Sequence, residues 1–66
     1  MNTATATYTV LSATEAFIEV TYSTGGFGME RVTKPRNGSL YEAAYRAASV
    51  KAHNQGLRLE RFSAAQ

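Results

Sequence analysis

The chain has 66 residues, a formal net charge of +2 and a pI near 9.3, with no cysteine and no aspartate. Such a length makes one domain near the lower limit for folding alone, because a chain of this size buries only about 60% of the surface its unfolded form exposes. Without cysteine there is no disulfide framework or thiolate metal centre, and five glutamates with a single histidine leave little for acid–base, nucleophilic or metal chemistry. The expectation is therefore a non-enzymatic protein with no catalytic residues, no metal site and no cofactor.

No apolar run approaches the roughly 18 residues of a membrane span, and no basic-then-apolar leader is present. A soluble, cytoplasmic, small single-domain protein with no membrane partner is expected over residues 1–66, with residues 1–3 and 64–66 frayed. The mild basic excess permits nucleic-acid contact without requiring it.

The hydrophobic period is two up to Lys34 and close to 3.6 after it. In Ala4–Leu11, Ala6, Tyr8 and Val10 alternate with Thr5, Thr7 and Thr9, the pattern of a half-buried strand with a threonine outer face. Ser12–Glu15 is a polar break suited to a hairpin turn. In the second strand, Ala16, Ile18, Val20 and Tyr22 point one way, and Phe17, Glu19 and Thr21 the other. Ser23-Thr24-Gly25-Gly26 supplies a tight turn into the third strand, Phe27–Thr33. With Thr24-Gly25 as a two-residue loop, Tyr22 faces Phe27, Val20 faces Met29 and Ile18 faces Arg31 on the helix side. On the other side Phe17 then faces Val32 and Glu19 faces Glu30. A wider loop that sets Thr21 against Glu30 is the competing register.

Pro35-Arg36-Asn37-Gly38 is a turn in which Pro presets φ and Asn-Gly tolerates left-handed backbone. Ser39 followed by Glu42 is a capping box, and Gly56 stands where a helix C′ glycine belongs, bracketing a helix from Leu40 to about Asn54. Leu40, Tyr41, Ala44, Tyr45, Ala47, Ala48 and Ala52 form its apolar arc; Glu42, Arg46, Ser49 and His53 form its polar face. Lys51 interrupts the arc and is expected to extend past the sheet edge. A last strand, Leu57–Phe62, follows. The fold expected is α+β: a single antiparallel sheet in β-β-β-α-β order with one helix packed on one face and the other face bare.

Two groups are candidates for contact with a partner, protein or nucleic acid. Arg31, Lys34 and Arg36 run off the third strand as a basic edge able to grip phosphate or to guard the edge from pairing. Phe17 and Phe62 are expected on the bare face as anchors, joined by Arg58 and Glu60 from the last strand if Leu57 and Leu59 face the helix, with Arg61 a further candidate contact. Tyr8, Tyr22, Tyr41 and Tyr45 occupy core-side positions, with hydroxyls at the rim.

Size, element order, the missing catalytic inventory and the Gly-turned hairpin before an Ala-rich helix resemble the small anti-CRISPR proteins of phages and other mobile elements. The likeness is architectural and spans Tyr8 to Phe62, with no shared signature to carry residue roles across. It implies an inhibitor that binds a crRNA-guided Cas effector complex in a bacterial cytoplasm and blocks target DNA binding or nuclease recruitment. Many such proteins are acidic DNA mimics, whereas this chain is slightly basic. The layout also resembles DNA readers that lay a three-stranded sheet in the major groove, which implies a nucleic-acid partner for Arg31, Lys34, Arg36, Arg58 and Arg61. A homodimer joined through the bare sheet face is the third expectation.

Overall fold

The computed structural model describes residues 2–65, so the expectations for Met1 and Gln66 lie outside the described residues. The elements are β1 (Thr3–Val10), β2 (Glu15–Tyr22), β3 (Phe27–Thr33), α1 (Leu40–Asn54) and β4 (Arg58–Ala64). They form an α+β fold with one four-stranded sheet, ordered β3-β2-β1-β4, and the helix on one face. Thr3 and Ala64, placed among the frayed ends from sequence, are paired strand residues.

Three strands behave as an antiparallel meander, β1 with β2 and β2 with β3. The expected all-antiparallel sheet is corrected at β4, which pairs parallel with β1. The reason is the helix. A helical crossover returns the chain to the end of the sheet from which the preceding strand began. β4 therefore runs with β3, and β3, two antiparallel steps away from β1, runs with β1. The sheet is mixed.

The first turn is closed by the Leu11 and Ser12 N–H groups donating to the Glu15 carbonyl at 2.9 and 3.1 Å, and the Thr14 N–H donates to Ser12 Oγ at 3.2 Å. The second turn differs from both expected registers. The Gly25 N–H donates to the Tyr22 carbonyl and the Tyr22 N–H to the Gly26 carbonyl, which makes a three-residue loop of Ser23, Thr24 and Gly25. A two-residue loop would force Thr24 to positive φ, which a β-branched residue resists, whereas here Gly25 (φ 108°) and Gly26 (φ 90°) take it. The pairs become Thr21 with Phe27, Glu19 with Met29, Ile18 with Glu30, Phe17 with Arg31 and Ala16 with Val32. One residue of slip turns every β3 side chain to the opposite face. Val32 enters the core, and Phe27, Met29 and Arg31 leave it. The slip also removes the Glu19–Glu30 opposition.

The helix begins and ends where its caps dictate. Ser39 Oγ accepts from the Glu42 N–H at 3.0 Å. At the other end Gly56 (φ 73°) donates to the His53 carbonyl and Leu57 to the Ala52 carbonyl, the paired bonds of a Schellman motif. In the preceding turn Gly38 does not adopt positive φ; it is needed for room, since a Cβ there would lie 2.9 Å from Pro35 Cγ.

The core is small and made mostly of alanine. Ala4 and Ala6 from the sheet meet Ala44, Ala48 and Ala52 from the helix, around Ile18, Val20, Val32 and Leu57, and Ala16 is buried as well. Ile18 and Val20 are the largest side chains fully removed from solvent. Alanine on both sides lets the helix backbone approach the sheet closely. At the β3 edge Gly28 leaves space for the Tyr22 ring, whose hydroxyl would stand 2.7 Å from a Cβ at that position.

Candidate interaction surface on the uncovered sheet face

Strand alternation sorts side chains between two faces, and only one receives the helix. On the other, Thr5, Thr7 and Thr9 of β1 stand beside Thr21, Glu19 and Phe17 of β2, which in turn pair with Phe27, Met29 and Arg31 of β3. β4 adds Arg58 opposite Thr3, Arg61 opposite Thr5 and Ser63 opposite Thr7. No element among the described residues covers this face.

The expected site residues divide. Phe17 lies on the uncovered face, partly buried by its neighbours, directly across from Arg31. Arg58 and Arg61 are exposed on the same face along β4. Lys34 and Arg36 do not join them. Both sit exposed in the connection to α1, where the Lys34 backbone is tied to the β1–β2 turn by its N–H donating to the Thr14 carbonyl at 2.7 Å. The basic run of the sequence is thus split by the end of the strand.

Phe62 is on the wrong face for the role expected of it, and this is a correction. Between Ala4 and Thr5 the β1–β4 register shifts by one: Leu59 pairs with Ala4, Arg61 with Thr5, and Glu60 is the extra residue of a bulge. Strict alternation from Leu57 would send Phe62 to the uncovered face; the bulge returns it to the helix side. There it stacks on Tyr8 (centroids 5.0 Å, 14° between planes) and meets Tyr41 and Tyr45 edge-on at 5.3 and 5.4 Å. Tyr8 and Tyr41 also touch edge-on at 5.6 Å. These four rings form one cluster at the join of α1, β1 and β4, in the geometries that aromatic quadrupoles favour.

Phe27 and Met29 were missed from sequence because the hairpin register was taken one residue out. They are 59% and 49% exposed and give the uncovered face the apolar surface expected of Phe62. A signal was available in Thr24, whose β-branch argues for the three-residue loop. Glu30, turned to the helix side, meets Lys51 with Nζ 3.5 Å from Oε1. Lys51 thus reaches the sheet edge as expected and finds its partner within the chain.

Among the described residues no group of three metal-ligating side chains comes together, and no helix is long and apolar enough to cross a membrane. Against protein-family models, curated proteins and solved structures, the chain has no significant match.

Proposed function

We propose that this protein is a non-enzymatic binding module that docks on a macromolecular partner through the uncovered face of its sheet. The observation that carries this reading is the group Phe17, Phe27 and Met29, with Arg31 beside it, on a face that no other element among the described residues shields. Large apolar side chains next to an arginine are the composition of binding hot spots, and three of them clustered on so small a sheet exceed singly scattered exposure. On the architectural resemblance to anti-CRISPR proteins, the partner is a crRNA-guided Cas effector complex of a bacterial host, held so that target DNA or the nuclease cannot bind. Co-purification with Cas components, and restored phage plaquing on an immune host, are expected from the unaltered chain. Both are expected to be lost in Phe27→Ser. An unaltered chain that does neither removes the proposal.

A second reading, a nucleic-acid-binding sheet, is favoured by one observation. The register takes Glu30 off the uncovered face and leaves Arg31, Arg58 and Arg61 on it, with Glu15 and Glu19 as the acidic residues of β2 there. If the three arginines each neutralise a phosphate of duplex DNA, log K falls with log salt at a slope of about −2.7. A gel-shift titration with duplex DNA at low salt that gives no complex eliminates this reading.

A further inference from the structure

The sheet ends at β4, which pairs with β1 on one side and, among the described residues, with no strand on the other. Between this free edge and α1 runs an open groove. Its floor is apolar, built from Tyr45, Val50, Leu57 and Leu59, and its rim carries Arg46, His53 and Arg58 with no carboxylate among the lining residues. Val50, 52% exposed, lines the groove on the helix flank beside β4. We propose that this groove and the β4 edge together accept an extended peptide segment from a protein partner, as an added strand with alternating apolar and acidic side chains. The groove lies on the helix side, and the added strand meets the uncovered sheet face only at Arg58 and Arg61. The inference does not require the Phe17–Phe27 part of that face to bind anything and is tested separately from the function proposed above.

The pattern required of the peptide follows from the sheet. A strand added beside β4 lies about 4.8 Å beyond it and sends alternate side chains to opposite faces. Those on the helix side drop into the groove, against Val50, Leu57 and Leu59, and so must be apolar. Those on the other side stand beside Arg58 and Arg61, and so are best acidic. The same charges argue against a second copy as occupant, because edge-to-edge pairing of two β4 strands would bring arginines together; charged residues and bulges at edges act in this way.

The experiment uses the full chain, isotopically labelled, titrated with an acetylated octapeptide of alternating Leu and Glu and with its Leu/Lys counterpart. The Leu/Glu peptide is expected to shift the backbone amide signals of residues 57–64 and of Val50, and the Leu/Lys peptide to leave them in place. Arg58→Glu and Val50→Asp, each checked for an unchanged circular dichroism spectrum, are expected to weaken binding at least tenfold; both positions are exposed, so one variant suffices if the other unfolds. Three results overturn the proposal: equal or absent response to the two peptides, shifts confined to the Phe17–Phe27 face, or β4 shifts that depend on protein concentration alone.

Discussion

The two faces of the sheet are built from the same three meander strands and have opposite chemistry. The covered face is alanine, isoleucine and valine, so tightly apposed to the helix that Ala4, Ala6, Ala44 and Ala48 are each at most 2% exposed. The other is threonine, phenylalanine, methionine, arginine and glutamate, open to water. A helix dense in alanine can lie close to a sheet only where the sheet side chains are also small, so the covered face is specialised for close approach. That specialisation limits the buried volume, and it leaves the large apolar side chains Phe17, Phe27 and Met29 on the far side. A domain this small would gain from burying them, and their place on the open face is what supports the docking proposal.

The contrast breaks most severely in the core. Ile18→Ala removes one of the two largest buried side chains and is expected to cost about 3 kcal/mol. For a domain of this size that is a large share of its stability, and chemical denaturation should show a chain largely unfolded or barely cooperative. Next is the aromatic cluster. Phe62→Ala removes the ring that three tyrosines contact, and a loss of about 2 kcal/mol is expected because the ring is only partly buried. Thermal melting of this variant separates the cluster from the uncovered face, where the same change would be nearly silent. Ser39→Ala deletes the helix cap and should lower stability by about 1 kcal/mol. Phe27→Ser, on the open face, is expected to alter stability by no more than about 0.5 kcal/mol while abolishing capture of the partner. A drop in melting temperature for Phe27→Ser comparable to that of Phe62→Ala would erase the distinction between the faces. The smallest effect is at the Glu30–Lys51 pair, where a double-mutant cycle should return a few tenths of a kcal/mol, the magnitude of a solvent-exposed ion pair.

Elements with local causes were legible in the sequence. The helix bounds follow from Ser39 and Gly56, and the faces of β1 and β2 from a strict period of two. What failed were the two places where one residue is added or removed between regular segments: the loop at Ser23–Gly25 and the bulge at Glu60. Each error reassigned side chains beyond it, so Phe27, Met29 and Val32 were exchanged at one site and Phe62 was misplaced at the other. For the candidate surface, Phe17 and Arg58 were legible. Arg31 and Arg61 were named as contacts but reach the uncovered face only through the three-residue loop and the Glu60 bulge. Phe62 was misplaced, and Lys34 and Arg36 were adjacent in sequence but not in use of the same face.

By itself, then, the sequence determined which segments are strands and which is the helix, because propensity, capping and periodicity act within a few residues of their cause. Tertiary structure alone decided the direction of β4, the register of β3 and the side on which Phe62 lies. Each of those depends on how a strand settles against a neighbour distant in the chain, where a single-residue offset costs little locally and inverts the face presented.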